Sequence, residues 1–301
     1  MQFLQRHQID DEKWNEVVRS SDRFRHYALT YFLDAVTVEW SAFVGDNYEW
    51  VWPVPIKRSP VPQVYQPLLA QQLGPYFTES ISEGEIEMVW KELKSNYWRL
   101  NVKFSDHFKA IPFEVGRKHI NVELALDSEY DTLTKNYKRN AVSNIRKAEQ
   151  AELVISVDEE YQPEIVKQFK LGKGKEVNEL DEAFYAQVQS IYEAFAGRNE
   201  SETWVASIDG KFLAGIMLLK TNNRLLNFFT GNAPDAREVG AMHFLFDAII
   251  KRYANSASAL DFEGSNDENL AYFYKSFGGS EKVYLQAQTG WMPPLIKKVL
   301  G

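Results

Sequence analysis

Two carboxylates and a tyrosine near the C-terminal end of the chain are the residues best suited to chemistry. Asp261 and Glu263 stand two positions apart at the end of the apolar segment Ala259-Leu-Asp-Phe262. If that segment is a strand, both carboxylates project from one of its faces. A carboxylate in a partly apolar cleft can have a raised pKa and take a proton from an attacking amine. Tyr274, in the next helical segment, could then serve as general acid or as hydrogen-bond donor to an oxyanion.

Each of these three residues also has a structural alternative. One carboxylate could cap the helix predicted over residues 267–277, or it could pair with Arg252. Tyr274 could be a core residue whose hydroxyl is hydrogen-bonded. The pattern favours a functional role for Glu263 and a structural role for Asp261, and it leaves Tyr274 open between the two.

The segments around these residues predict a unit that begins with a three-stranded meander. Asp209-Gly210 is typical of a type I′ hairpin turn, because glycine accepts the positive φ that this turn requires. Asp235 and Glu238 have the spacing of a capping box and predict that a helix begins there. Gly278-Gly279 indicates a left-handed C-terminal cap. The predicted order is strand 204–208, strand 212–219, strand 225–230, a helix from Asp235, strand 259–262, helix 267–277 and strand 283–287.

This order resembles the acyltransferase half of the GNAT superfamily, in which a splayed sheet holds an acyl donor. The run Asp267-x-x-Leu-Ala-x-x-Tyr274-x-x-x-Gly278 is similar to the family's terminal motif, whose tyrosine often protonates a leaving thiolate. Upstream, Asn144-Ile-Arg-Lys-Ala-Glu149 resembles the helix that opens the second domain of FemAB-type proteins. That family has tandem GNAT-like domains and includes aminoacyl-tRNA-dependent peptidoglycan-bridge transferases. Residues 160–202 predict only one or two helices, and not the long coiled-coil arm of some bridge transferases.

The first half of the chain repeats the same kinds of element, with helices, a meander, a helix and further strands. The resemblance therefore implies an α/β fold, α+β in layer terms, of two GNAT-like domains in tandem. They are predicted as a degenerate domain over residues 1–128 and an acyltransferase domain over residues 129–301. Each is expected to contain a mixed, largely antiparallel sheet flanked by helices.

The resemblance also implies a cradle for the pyrophosphate of acyl-coenzyme A in the loop before a helix. Arg237 and Gly240 match the family pattern, with Ala241 beside them and Asn232 near the donor. Free amides at a helix start favour an anion. Met242 departs from the pattern, because the family has a small residue at that place. Close helix–sheet packing is the alternative for Gly240 and Ala241, and a turn role is the alternative for Asn232.

A basic helix is predicted over residues 130–151. Arg139 and Arg146 can share a face, Lys147 lies beside them, and arginine forks match phosphate oxygens, so this helix could guide a phosphate-bearing donor or acceptor. A solvated helix face is the alternative. In the first half, Gln66 and Gln72 could line an interdomain cleft for the acceptor, or they could be turn residues.

The numbers of cysteine and histidine residues and the net charge exclude or disfavour several kinds of protein. The chain has no cysteine, which excludes a disulfide scaffold and a thiol nucleophile. Its five histidines lack metal-ligand spacing, so no metal is expected, and His243 is predicted to be packed within its helix. A net charge of −8 argues against broad coating of nucleic acid. Neither a signal peptide nor a membrane span is expected, and a cytoplasmic location is predicted.

These features together predict an N-acyltransferase that moves an acyl or aminoacyl group from a thioester or ester donor to an amine. The acceptor would be a small molecule or peptide-like amine bound between the domains, and Glu263 would take its proton. Two alternatives stay open. One is an aminoacyl-tRNA-dependent ligase, which the basic helix favours and the overall acidity disfavours. The other is an inactive tandem GNAT protein that binds a ligand or a partner.

Overall fold

The computed structural model describes residues 1–290 apart from 23, 59, 114, 177–179, 222–223 and 265. The described chain divides into two compact units. The first contains residues 1–119 and returns from Val283 onward, and the second contains residues 120–282. The strand predicted at 283–287 therefore packs with the first unit. The division of the sequence into domains at residues 128 and 129 stays a prediction.

The first unit has a mixed, mostly antiparallel sheet. Its strand order is β1-β2-β3-β4-β6-β13, and β5 pairs with β3. The strands are β1 (Gln2–Gln5), β2 (Trp40–Val44), β3 (Trp50–Lys57), β4 (Gln63–Val64), β5 (Tyr76–Phe77), β6 (Arg99–Lys103) and β13 (Ser280–Thr289), the last beginning in the second unit. Among the described strand pairs of this unit, only β4 and β6 run parallel.

Helices α1 (Asp11–Ser20), α2 (Thr30–Val36) and α3 (Glu83–Asn96) complete the first unit. Asp10 caps α1 by accepting from two backbone amides, and Ser82 with Glu85 forms a capping box at α3. One face of α3 is apolar and packs against the strands. The resulting core is rich in aromatic side chains, including Trp50, Trp52, Phe104 and Trp90.

The second unit carries the predicted meander. Its sheet has the order β7-β12-β11-β10-β9-β8. The strands are β7 (Arg117–Ala125), which begins in the first unit, β8 (Val154–Val157), β9 (Ser201–Ile208), β10 (Lys211–Thr221), β11 (Arg224–Asn232) and β12 (Ala259–Asp261). The pairs are antiparallel except for β11 and β12. The turn between β9 and β10 has positive φ at Asp209 and Gly210, as the type I′ prediction requires.

In the described part of the second unit, six α-helices flank this sheet. They are α4 (Tyr130–Thr134), α5 (Arg139–Gln150), α6 (Gln162–Leu171), α7 (Glu182–Ala196), α8 (Ala241–Tyr253) and α9 (Glu268–Tyr274). Between residues 160 and 202 the described chain forms α6 and α7 and no long coiled-coil arm, as the sequence predicts. The apolar faces of α5, α8 and α9 and one face of the sheet share a single buried core.

The basic helix predicted over residues 130–151 is broken in two. Lys138 has an extended backbone, and its amide donates to the carbonyl of Ser276 at 2.8 Å. This amide is therefore not available to continue a helix from α4. The chain turns here, and α5 begins at Arg139.

The helix predicted from Asp235 begins six residues later. The carboxylate of Asp235 pairs with Lys211 at 2.5 Å, and residues 234–240 form successive turns. The capping box predicted for Asp235 and Glu238 is therefore wrong. Gly240, with a φ of 72°, occupies the N-cap of α8 instead.

Candidate functional site

The central strands of the second unit part at the candidate site. Strands β11 and β12 are paired over three positions, from Arg224 opposite Ala259 to Leu226 opposite Asp261. There β12 ends, while β11 continues to Asn232. At the same place β11 has an extra residue, Phe228, opposite the step from Met217 to Leu218. Such a bulge bends the strand and changes where its side chains point. An open strand edge beside β11 can pair with an extended ligand.

Asn227 bridges the gap between the parted strands. Its Nδ2 donates to the carbonyl of Phe262 at 2.9 Å and lies 3.4 Å from the hydroxyl of Tyr274. The residue is only 5% exposed. Its Oδ1 is buried and has no hydrogen-bond partner in the described part of the chain. A buried acceptor without a donor is costly, so an N–H that reached this oxygen would stabilise it.

Sequence reasoning missed Asn227. The available signal was a single amide between two apolar pairs, Leu225-Leu226 and Phe228-Phe229. A polar side chain in a strand that is otherwise apolar on both faces must be paired or must face a site. Asn227 does both.

Tyr274 lies at the end of α9 and is buried. Its ring stacks on Phe262, with centroids 4.7 Å apart and an interplanar angle of 15°. Burial, and next the negative charge of Glu263, raise the pKa of its hydroxyl. The phenol is therefore protonated at neutral pH and is suited to donate a hydrogen bond or a proton, not to act as a base.

Glu263 is placed close to Tyr274, but not in the way the strand pattern predicts. Strand β12 ends at Asp261, and both Glu263 and Gly264 have left-handed backbone, with φ of 55° and 62°. The two carboxylates therefore do not project from one strand face, and that prediction is wrong. Instead the amide of Glu263 donates to Asp261 Oδ1 at 3.1 Å. Half-buried Glu263 is near enough to Tyr274 for its charge to raise the pKa of the phenol, and the catalytic roles of both residues stay predictions.

Asp261 has a structural role. It is buried, it accepts from Asn121 Nδ2 at 2.8 Å, and it pairs with Arg224 at 3.2 Å. Arg224 also pairs with Glu123 on β7. The partner of Asp261 is thus Arg224 and not Arg252. The cap of α9 is a third carboxylate, Asp267, which accepts from the amides of residues 269 and 270.

The residues of the predicted donor cradle are divided between exposed and packed positions. Asn232 and Arg237 are exposed, and Arg237 forms no ion pair with a described residue. A Cβ at Gly240 would overlap the carbonyl of Asn144 on α5, and Ala241 is fully buried. Close packing of α8 against α5, and not against the sheet, accounts for these two small residues. Donor binding at the loop stays a prediction.

The predicted substrate-binding residues lie in both units. Arg139, Arg146 and Lys147 are exposed on α5 and form no ion pairs with the described residues, whereas Ala141, Ile145 and Ala148 on the same helix are buried.

In the first unit, the glutamines hold local backbone. Gln66 donates to the carbonyl of Ala70 at 2.5 Å and accepts from the amide of Lys103 at 3.0 Å. Gln72 accepts from the amide of Asp106 at 2.9 Å. These bonds match the turn alternative, and their role toward an acceptor stays a prediction.

The described residues contain no group of three or more His, Asp or Glu side chains placed to hold a metal ion. They also include no helix of sufficient length and apolar character to span a membrane.

Comparison with known proteins supports the fold predicted from the sequence. Residues 135–276 match the family model described as an acetyltransferase (GNAT) domain. This span includes Asn227, Glu263 and Tyr274. The structure has a FemAB-like tandem GNAT fold, so the predicted resemblance and the predicted fold class are both confirmed.

The similar solved structures include three that align over nearly the whole chain. A structure of FemX has 12% identity and a TM-score of 0.67, with 100% of both chains covered. L-PGS from Bacillus licheniformis has 12% identity and a TM-score of 0.58, covering 97% of this chain and 95% of that one. A tandem GNAT protein from the clavulanic acid biosynthesis pathway has 13% identity and a TM-score of 0.53, covering 97% and 99%. No curated protein matches the sequence.

Proposed function

We propose that this protein is an N-acyltransferase that moves an acyl or aminoacyl group from a thioester or ester donor to an amine. One observation carries the proposal. Where β11 and β12 part, Asn227 presents a free buried acceptor, Tyr274 a protonated phenol, and Glu263 a carboxylate close enough to shift the phenol's pKa. An acceptor, an acid and a base in a splayed GNAT sheet are the groups that transfer to an amine requires.

The transfer proceeds by addition and elimination at the acyl carbon. The amine nitrogen forms a bond to this carbon, and the bond from the carbon to the donor's sulfur or oxygen breaks. Asn227 Oδ1 accepts an N–H of the amine and orients its lone pair. Glu263 takes the proton that the nitrogen loses, and Tyr274 donates its phenolic proton to the leaving group. Proton return from Glu263 to the phenolate, directly or through water, restores both side chains. Positioning supplies most of the rate.

We propose acyl-coenzyme A as the first donor to test. Of the predicted cradle, Arg237 is the side chain suited to a phosphate, since it is exposed and unpaired among the described residues. Gly240 is not an open approach for the pyrophosphate, because the carbonyl of Asn144 lies against it. The donor contact we propose is therefore through Arg237 and Asn232.

A second donor is favoured by one observation. Arg139, Arg146 and Lys147 have no ion pairs with the described residues, although the chain has a net charge of −8. Cations left unpaired on one helix of an acidic protein suit a polyanion. Charged tRNA is therefore the second candidate donor.

Thermal unfolding with acetyl-coenzyme A, coenzyme A or charged tRNA separates the alternatives, because a ligand that binds the folded state raises Tm. Stabilisation by the coenzyme that Arg237→Glu abolishes supports the thioester donor. Arg252→Glu, which reverses an exposed charge near the other end of α8, is the matched control. Salt-sensitive stabilisation by tRNA that the double variant Arg146→Glu, Lys147→Glu loses supports the second donor. If none of the three donors raises Tm, the result favours the alternative that the protein is an inactive tandem GNAT protein that binds another ligand or a partner.

The chemistry is tested with the donor that binds and a panel of primary amines. Tyr274→Phe keeps the stacked ring and removes only the hydroxyl. Loss of a general acid lowers the rate about 100-fold or more. Tyr272→Phe, on the same helix and 57% exposed, is the control and keeps the rate. Transfer at the original rate by Tyr274→Phe would remove the tyrosine from the mechanism.

A further inference from the structure

Strand β7 holds the segment of chain that follows β12. The amide of Phe262 donates to the carbonyl of Val122 at 3.1 Å, and the amide of Ile120 donates to the side chain of Asn266 at 3.0 Å. These two hydrogen bonds fix the chain before and after Glu263. The place of the candidate base is therefore set by a neighbouring strand as well as by its own.

The backbone of Glu263 has a conformation that residues with a side chain seldom adopt. Its φ is 55°, and Gly264 follows with a φ of 62°. Both values lie in the left-handed region, where the Cβ of an L-residue crowds the following carbonyl oxygen. Such a conformation persists only where the surrounding structure holds it, and it is concentrated at functional sites.

Asp261 supplies the hydrogen bond that holds this conformation. Its Oδ1 accepts from the amide of Glu263 at 3.1 Å, which closes a turn through the aspartate side chain. The same oxygen accepts from Asn121 on β7 at 2.8 Å, and Oδ2 pairs with Arg224 on β11 at 3.2 Å. Asp261 is 1% exposed, so water does not compete for these bonds. The carboxylate is thus fixed by the strands on both sides of β12, and it fixes Glu263 in turn.

We propose that Asp261 is a positioning residue for the acyl transfer. Its carboxylate holds Glu263 in the left-handed conformation and so sets where the Glu263 carboxylate lies relative to Tyr274. The inference rests on the proposed function, in which Glu263 takes the proton of the amine. Asp261 does not exchange that proton itself, because it is buried and its oxygens already accept from three donors.

Hydrogen exchange of the Glu263 amide tests the bond without any activity. In protein labelled with ¹⁵N-glutamate, this amide is identified by its loss in Glu263→Asp. Asp261→Ala removes the acceptor and should speed exchange about tenfold or more, as expected for the loss of a hydrogen bond to a charged group. Asp261→Asn keeps one acceptor oxygen and should retain most of the protection. Glu123→Gln changes the other carboxylate that pairs with Arg224, leaves Asp261 in place and is the matched control.

The consequence for transfer is measured with a donor and an amine that react. Asp261→Ala should lower kcat about 100-fold and leave KM within about twofold, because both substrates still bind while the base is displaced. Asp261→Asn should recover most of the lost rate, and Glu123→Gln should keep the original rate. A role in stability alone would lower the amount of folded protein and leave kcat per folded molecule unchanged.

The inference fails if the Glu263 amide exchanges no faster in Asp261→Ala than in the unsubstituted protein, or if Asp261→Ala and Glu123→Gln have the same kcat. If Asp261→Ala does not fold by circular dichroism, Asn121→Leu replaces it. This variant leaves Asp261 in place without its bond to β7, so unchanged amide exchange and unchanged kcat would overturn the inference. If no amine is acylated although Asp261→Ala speeds the exchange, the proposed function fails and the role in transfer falls with it, while the bond stands.

Discussion

Asn227 on β11 and Phe262, the residue that follows the end of β12, are joined by a side-chain hydrogen bond of 2.9 Å where the two strands part. The bond spans 35 positions of sequence and lies where β11 passes the end of β12. Beyond the last paired position of β11 and β12, this hydrogen bond from the Asn227 side chain takes the place of a backbone hydrogen bond between the strands. The bond thus ties β11 to the chain beyond β12, while the Oδ1 atom of the same amide has no partner in the described part of the chain.

Replacing Asn227 by leucine, which has nearly the same volume, should destabilise the fold. The carbonyl of Phe262 would lose its donor in a buried place, which costs about 1–3 kcal/mol. Urea unfolding measures this loss. Asn269→Leu, on the exposed side of α9, is the control and should change stability by less than about 0.5 kcal/mol. Equal effects of the two substitutions would show that the bond at Asn227 contributes nothing.

Gly240→Ala should be far more destabilising than Gly210→Ala. Both glycines have φ above 70°, so each alanine incurs a backbone cost of about 1–2 kcal/mol. At Gly240 the new methyl group also meets the carbonyl of Asn144, whereas at Gly210 nothing lies within 4 Å. We expect roughly 2 kcal/mol or more of additional loss at Gly240 in chemical unfolding. A similar loss at both sites would contradict the close approach of α8 to α5.

His243 should make the protein sensitive to mild acid. Its ring packs against Phe273 and Phe277, and burial lowers its pKa from 6.5 to about 4. As the pH falls from 6.5 to about 4, the unfolded chain takes up a proton that the folded protein does not. Stability is therefore lost over this window, by no more than about 3 kcal/mol.

His243→Leu should remove that part of the acid sensitivity. Unfolding free energies at several pH values between 4 and 7 test this, with His7→Leu as a control at an exposed histidine of the first unit. The pH profile of His243→Leu should be flatter than that of the control. Parallel profiles for the two variants would show that the folded protein accepts the charged imidazole of His243, which would contradict the lowered pKa.

Asp247 should change the stability with pH in the opposite direction from His243. It is a buried carboxylate that accepts from the hydroxyls of Tyr130 (2.8 Å) and Tyr137 (3.0 Å), and burial raises its pKa. The folded protein therefore binds this proton more readily than the unfolded chain. Its contribution to stability falls as the pH rises from the ordinary aspartate value of about 3.9 through the raised folded value.

Asp247→Asn removes this titration and keeps one acceptor oxygen. The stability difference between the unsubstituted protein and the variant should therefore shift in favour of the unsubstituted protein as the pH falls from 7 toward 4. Glu268→Gln, which removes an exposed carboxylate on α9, is the control. A difference that does not change with pH would contradict the raised pKa.

The sequence predicted the regular elements of the second unit because their patterns are local. The meander, α9 and the one or two helices expected between residues 160 and 202 follow from apolar spacing and turn residues. The Asp235 helix start failed because the carboxylate is taken by Lys211, a residue of the preceding hairpin. The single long basic helix failed because Lys138 bonds to Ser276, which is 138 positions away.

The candidate site was predictable only where chemistry and local pattern agree. Glu263 and Tyr274 stand out because a carboxylate follows an apolar strand and a tyrosine follows a helix cap. Asn227 does not stand out in the sequence, because its place in the site depends on contacts with Phe262 and Tyr274, which are 35 and 47 positions later. The role of Gly240 likewise depends on the carbonyl of Asn144 in another helix. Contacts of this kind are set by tertiary packing and leave no periodic trace in the sequence.

The bond from the Lys138 amide to the Ser276 carbonyl joins the outer basic helix to the segment that follows Tyr274. The same two segments also pack through the rings of Tyr137 and Phe277. A displacement of the start of α5 would therefore be passed to the end of the helix that carries the buried phenol.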